Sequence, residues 1–217
     1  MRPRTIGGSD AAIVIGHGRF EDSEGLFSRK IEGEVWDIPG PTGLKTRGHK
    51  MEPTVAEIYN ATHDVQMILM GDSYFHDEMP WAHASPDGVS EDGSILFEIK
   101  SPNTTTIAKL KSQDHEFAEW NIQVQHNMAV MGIDQAVILV LDYNEFDLIP
   151  YYVPANKELQ AELMRAEESF YDAIVRKDAY PPLVAEFVIK YSNPPIEVVA
   201  MDSEDWRSLA SQYAEVD

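Results

Sequence analysis

The sequence contains no cysteine. Disulfides, thiolate metal sites and iron–sulfur clusters are therefore excluded, and the absence fits a cytoplasmic setting. Basic residues are scarce: 17 Lys and Arg stand against 37 Asp and Glu among 217 residues, a formal net charge of −20. That balance weighs against nucleic-acid binding, because DNA binders usually carry a basic footprint. The objection is answered only if positive charge is local and bound metal ions neutralise the site's own carboxylates. The acidic remainder then faces water and keeps the chain soluble. No apolar run approaches a membrane span, and the opening MRPRTIGGSDAA lacks the apolar core of a signal peptide. Internal repeats and low-complexity segments are missing. The histidines form neither HExxH nor His-x-x-x-His, so a zinc site is weakly supported. There is no Walker-type glycine loop, and Gly7-Gly8-Ser9-Asp10 lacks the closing glycine of a GxSxG nucleophile elbow.

What is present is ordinary in bulk and unusual in one stretch. A hydrophobic content of 43% and a charged content of 25% suit one globular domain over residues 1–217, with a core at 2–178 and a C-terminal appendage at 179–217. The unusual stretch runs HDEMPWAHASPDGVSEDGSILFEIKSP, from His76 to Pro102. Asp87 sits between a proline and a glycine. Glu98 and Lys100, two apart in ILFEIK, share one face of a strand. One carboxylate at a turn and a carboxylate with an ammonium on a strand can converge. Converging acidic oxygens bind a hard divalent cation, and a lysine beside them can hold a water or a phosphate oxygen. Those are the parts of a metal-dependent phosphodiester hydrolase. The plainer reading is the wet face of a hairpin strand, for Asp87-Gly88 and Asp92-Gly93 are both hairpin signals. Against it stand Ile95, Leu96, Phe97 and Ile99. Such a run predicts a strand covered on both faces, where unpaired charges are costly.

The remaining elements follow from periodicity and punctuation. Ser9 or Asp10 is the expected N-cap of a short helix over Ala11–Ile15. A helix is expected over 23–33, then a Pro/Gly-rich loop over Asp37–Gly48 carrying Lys45 and Arg47. Thr46–Thr62 reads as a helix with a buried stripe of Met51, Val55, Ile58 and Tyr59 and with Glu52 on its border. Strands are expected at Val65–Met70, Ser73–His76 and Trp81–Ser85, the last forming a hairpin with Ser94–Lys100. Phe117–Gly132 is a helix with Trp120, Gln123, Asn127 and Val130 on one face. Asp134–Leu141 and Asp147–Val153 read as a hairpin, Asn156–Lys177 as a long amphipathic helix, and Trp206–Tyr213 as a short one.

Five anchors occur together and in order: RTIGGSDAA, RGHKMEP, ASPDGV, FEIKSP and WNIQVQHNMAVMG. The series resembles the YqaJ-like viral recombinase / phage lambda exonuclease family of the PD-(D/E)XK nuclease superfamily, over about residues 2–175. The resemblance implies an α/β fold with a restriction-endonuclease-like core, a central mixed sheet flanked by helices. It implies that Asp87, Glu98 and Lys100 are the defining acid, acid and lysine. It adds the Ile99 carbonyl and Asp77 as further metal ligands, Glu52 as the helix glutamate and Gln123 as the first glutamine of a QxQ helix. Arg2 and Ser9 would hold a DNA 5′-phosphate, with Arg4 as the alternative to Arg2. The cofactor implied is Mg²⁺ or Mn²⁺, as two ions. The activity implied is 5′→3′ exonuclease action on double-stranded DNA from a free end, leaving a 3′ single strand. The implied assembly is a ring-shaped homotrimer working with a single-strand annealing protein in a bacterial host cell, of phage or prophage origin, with no membrane partner. Lys45, Arg47, Lys109 and Lys111 are expected to line the DNA channel. A catalytically silent end-binding subunit and a structure-specific or restriction-type endonuclease are the alternatives.

Overall fold

The two long apolar runs, ILFEIK and QAVILVLD, become the centre of the molecule. The computed structural model describes residues 4–18, 21–33, 42–112, 118–145, 147–181 and 199–200. Its main sheet contains β1 (Met67–Leu69), β4 (Gly88–Ser90), β5 (Ile95–Lys100), β6 (Gln135–Asp142), β7 (Asp147–Pro154) and β8 (Val199–Ala200), side by side in that order. β5 and β6 run parallel; every other neighbouring pair is antiparallel. Parallel neighbours need a crossover, and it is made by α4 (Thr104–Lys111) and α5 (Ala118–Met131). Asn103 caps α4 by accepting the Thr106 N–H at 2.9 Å.

Alternation along the two central strands decides what each face meets. Ile95, Phe97, Val137, Leu139 and Leu141 pack with Val55, Ala56 and Tyr59 of α3 (Thr42–Thr62). Leu96, Ala136, Ile138 and Val140 pack with Leu110 of α4 and Val124 and Met128 of α5. A period of two therefore sends Glu98 and Lys100 to the α5 side. A third apolar cluster joins α5 to α1 (Gly8–Val14), α2 (Ser23–Glu32) and α6 (Lys157–Arg176). The result is a mixed sheet flanked by helices, a restriction-endonuclease-like α/β fold.

Three expectations need correction. Ser94–Lys100 does not pair with Trp81–Ser85: β5 pairs with β4, while β3 (His83–Ala84) pairs with β2 (Tyr74–Phe75) in a separate two-stranded sheet. The turn falls at Asp92-Gly93, where the Asp92 carboxylate accepts from the Ser90 hydroxyl and from both the backbone and hydroxyl of Ser94, and Gly93 takes φ 76°. Gly88 is no turn glycine. A Cβ there would lie 2.8 Å from Met67 Cγ and 2.9 Å from the Ile68 carbonyl, so it marks a close approach of β4 to its neighbour β1. Second, α3 starts at Thr42, so Thr42–Gly48 is helical and not loop; residues 34–41 lie outside the described set. Third, Ile58 is 39% exposed, and Ala56 takes its place in the buried stripe. The helix expected near Trp206 also lies outside the described residues. Among them, no helix is long and apolar enough to cross a membrane.

Candidate active site

Pairing between β4 and β5 ends at Gly88 and Phe97. One step further on, the chains separate and the polar residues begin. Asp87, just before β4, uses Oδ2 to accept the Ile99 N–H at 2.6 Å. In an extended strand a residue's N–H and C=O point to the same side, so the Ile99 carbonyl faces the same gap. Glu98 is only 4% exposed. Its Oε1 accepts from Lys100 Nζ at 2.8 Å and from Gln123 Nε2 at 2.6 Å, and Lys100 also donates to Gln123 Oε1 at 2.8 Å. The three side chains close a triangle between β5 and α5. Glu98 Oε2 is buried and makes no hydrogen bond.

The electrostatics of this corner are unfavourable for an anion. Burial pushes the Asp87 carboxyl up to about 8, and the charges of Glu98 and Glu52 push the same way; the Ile99 N–H and Lys100 oppose them. A free buried carboxylate oxygen, a second carboxyl held partly protonated and a carbonyl facing both are donors of one chemical kind. They fit a hard, oxygen-seeking divalent cation such as Mg²⁺ or Mn²⁺. Among the described residues no three His, Cys, Asp or Glu side chains form a cage by themselves. Mg²⁺ does not need one, because it commonly keeps several waters and takes only one or two carboxylates.

Glu52 reaches this corner from α3. The helix passes the end of β5 closely: a Cβ on Gly48 would lie 3.8 Å from Ser101 Oγ. Glu52 follows one turn later. Its Oε1 is bonded to His49 Nδ1 at 2.9 Å, a partner the sequence did not suggest.

Asp77 is not brought in. It is exposed, in the turn joining β2 to β3, and β3 runs from that turn toward Asp87. Arg2 lies outside the described residues. Ser9 is exposed in the first turn of α1 but is not its cap; that position is Gly7, whose N–H reaches Asp10 Oδ2 at 3.3 Å. Lys30, nearly buried, donates to Asp10 Oδ2 at 2.8 Å and to the Thr5 carbonyl at 2.7 Å. It ties the segment carrying Arg4 and Ser9 to α2.

The cations divide in an informative way. Lys111 donates to Asp142 at 2.7 Å and Glu145 at 2.9 Å and is held well above the ordinary lysine range. It is a structural clamp and not a channel cation, contrary to expectation. Arg29, Lys157, Arg165 and Arg176 are likewise paired with acids. Arg4, Lys50 and Lys109 are exposed and form no ion pair with the described residues. The side chains of Lys45 and Arg47 lie outside the described set.

Periodicity also missed a buried ion pair behind α5. His126 and Glu167 are both fully buried, with Nδ1 2.9 and 3.0 Å from the two carboxylate oxygens and Nε2 3.0 Å from the His83 carbonyl. Burial alone would pull His126 down. Two oxygen acceptors on its two nitrogens reverse that and hold the ring above its usual value, while burial pushes Glu167 up.

A mixed sheet whose central parallel strand ends in a carboxylate–carboxylate–lysine corner defines the class: an α/β fold of the restriction-endonuclease type. The chain belongs to the YqaJ-like viral recombinase domain family, whose model matches residues 1–134 and so spans every candidate site residue. Comparison with curated proteins finds no match. Among solved structures the chain is similar to an alkaline exonuclease from Laribacter hongkongensis. Identity is 20%, 89% of this chain and 96% of that one are covered, and the TM-score is 0.66. The same enzyme in complex with dAMP gives 0.68 at the same identity and coverage. A phage related exonuclease from Haemophilus somnus 129PT is 12% identical, with 80% and 96% covered and a TM-score of 0.61. At such identities the likeness establishes the fold.

Proposed function

We propose that this protein is a metal-dependent exonuclease that digests double-stranded DNA from a free end in the 5′→3′ direction. The observation that carries the reading is the corner at the end of β5, where Asp87 and Glu98 converge and Lys100 and Gln123 are locked to Glu98. Membership of a viral recombinase family and a fold shared with exonucleases support the same conclusion.

Asp87, Glu98 and the Ile99 carbonyl would hold Mg²⁺ or Mn²⁺. When bound, the ion polarises the scissile phosphate and lowers the pKa of water, with a second ion able to stabilise the leaving oxygen. The chain's own residues do the rest. Lys100 spends two of its three N–H donors on Glu98 and Gln123, which leaves the third to orient the attacking water or a phosphate oxygen. Gln123 bonds both Glu98 and Lys100 and fixes their spacing. Glu52 faces the site from α3, and Asp87 must lose its proton before it can act as a ligand.

Positive charge is scarce but well placed for DNA. Arg4 precedes α1, Lys50 lies two residues before Glu52, and Lys109 is on the helix that follows β5; none of the three forms an ion pair with the described residues. Arg29, Lys30, Lys111, Lys157, Arg165 and Arg176 are each paired with an acid. Arg4 or Arg2, with Ser9, would receive the 5′-phosphate of the strand end. A ring-shaped homotrimer around the duplex would concentrate the free cations in its channel, and a single-strand annealing protein would take the 3′ strand. The test compares 5′-phosphorylated linear duplex with covalently closed circles, in Mg²⁺ and in EDTA. Mononucleotides released from linear DNA alone, and only with the metal, are expected. Equal attack on circles would mark an endonuclease, and no release a silent end-binding subunit.

A further inference from the structure

Helix α1 meets α5 with no side chain between them at Gly8. A Cβ on Gly8 would stand 2.9 Å from Gln123 Cγ, 2.9 Å from the Gln123 carbonyl oxygen and 2.8 Å from Asn127 Oδ1. All three separations are shorter than real Cβ atoms show. Gln123 Cγ and Asn127 Oδ1 belong to side chains, but the carbonyl is part of the α5 backbone and yields only if a helix moves. Gly8 has no positive φ, so its requirement is space and not backbone freedom. Asn127 lies one turn beyond Gln123, is 1% exposed, and makes no hydrogen bond through either amide atom. No bond of its own therefore draws it toward α1.

The residue under Gly8 is the one that bonds both Glu98 and Lys100. The helix above it carries Ser9 and follows Arg4, and Lys30 anchors its start through Asp10 and Thr5. We propose that Gly8 is a positioning residue: its bare contact sets the Gln123 side chain against Glu98 and Lys100, and so links the placement of a strand end at α1 to the hydrolytic corner. The proposal rests on the nuclease reading above.

The test measures maximal rate and KM on 5′-phosphorylated linear duplex, together with thermal midpoint. The proteins are the wild type, Gly8→Ala, Gln123→Ala, the double variant, and Val14→Ala, a cavity at the buried far end of α1. Displacement of a catalytic group by a fraction of an ångström lowers rate steeply. Gly8→Ala should lower the maximal rate about 10-fold or more, with KM changed less than about twofold. Val14→Ala should destabilise the fold and keep the rate at temperatures below its transition. In the Gln123→Ala background, Gly8→Ala should cost less than about twofold, because the group it displaces is gone. The side-chain amide resonances of Gln123 in metal-free protein should move in Gly8→Ala and stay in Val14→Ala. An equal cost of Gly8→Ala in both backgrounds, or full rate in Gly8→Ala, overturns the proposal. If the wild type is active and Gln123→Ala is impaired while Gly8→Ala is not, the proposal alone fails. An inactive wild type removes the nuclease reading and the proposal together.

Discussion

Gln123 Nε2 donates to Glu98 Oε1 at 2.6 Å across the gap between α5 and β5, and Gln123 Oε1 accepts from Lys100 at 2.8 Å. One amide therefore holds both members of the Glu98–Lys100 pair. Gln123→Ala removes both bonds and leaves Lys100 free to swing. The expected result is a fall in kcat of roughly 10²-fold with KM for DNA ends little changed, since the lost contact orients groups and does not bind substrate. Gln123→Glu should be at least as damaging, because it places a further carboxylate beside Glu98. Steady-state kinetics on linear duplex check both.

Asp87 makes metal binding depend on pH. Its carboxyl is pushed up to about 8 by burial and by Glu98, so at pH 7 the metal-free protein holds a proton that a cation must displace. Titration calorimetry with Mn²⁺ in two buffers of different ionisation enthalpy should show about one proton released per site at pH 7 and almost none at pH 9. Apparent affinity should rise with pH until about 8 and then level off. The stability of the metal-free fold carries the opposite trend. A carboxyl whose folded pKa exceeds its unfolded value binds protons more tightly when folded, so its contribution is full below about pH 4 and fades as pH rises toward 8. Asp87→Asn removes that slope and should raise metal-free stability at pH 8 by about 1–2 kcal/mol, while abolishing activity.

The cation assignment separates two lysines two residues apart on α4. Lys109→Ala should weaken DNA binding and reduce the slope of log K against log salt by about one. Lys111→Ala should leave that slope unchanged, because its ammonium is already committed to Asp142 and Glu145. Fluorescence anisotropy with a labelled duplex in EDTA, across a salt series, measures both.

His126 and Glu167 form a pair in which each needs the other. Glu167→Gln removes the charge that holds the fully buried His126 ring above its usual value, and a loss of about 3–5 kcal/mol is expected. Urea unfolding at pH 7 gives the number. A loss below about 1 kcal/mol would mean the pair is neutral.

Much of this was readable in the chain before any coordinates, for reasons specific to each segment. β5 and β6 announced themselves because strands covered on both faces must be apolar throughout, and the amphipathic run ending at Lys177 could only be a helix. The hairpin was misplaced because two Asp-Gly pairs looked alike. What separates them is that Asp92 has Ser90 and Ser94 to satisfy its carboxylate, whereas Gly88 is pressed against Met67, a contact made across the sheet. Asp87, Glu98 and Lys100 were visible as chemistry, but Gln123 came only from the five-anchor resemblance, since an amide on a helix face has no spacing signature. Lys111 was misassigned because a charge in sequence says nothing of which acid will claim it. The His126–Glu167 pair spans 41 positions and lies beyond any local pattern.

The central claim is that Asp87 and Glu98 share one divalent cation beside Lys100. Diffraction from crystals soaked in Mn²⁺, with the anomalous signal used to locate the ion, tests it most directly. The account predicts a peak within coordination distance of an Asp87 carboxylate oxygen, Glu98 Oε2 and the Ile99 carbonyl, lost in Glu98→Gln. Manganese bound elsewhere, with Asp87 and Glu98 failing to share an ion, would contradict it.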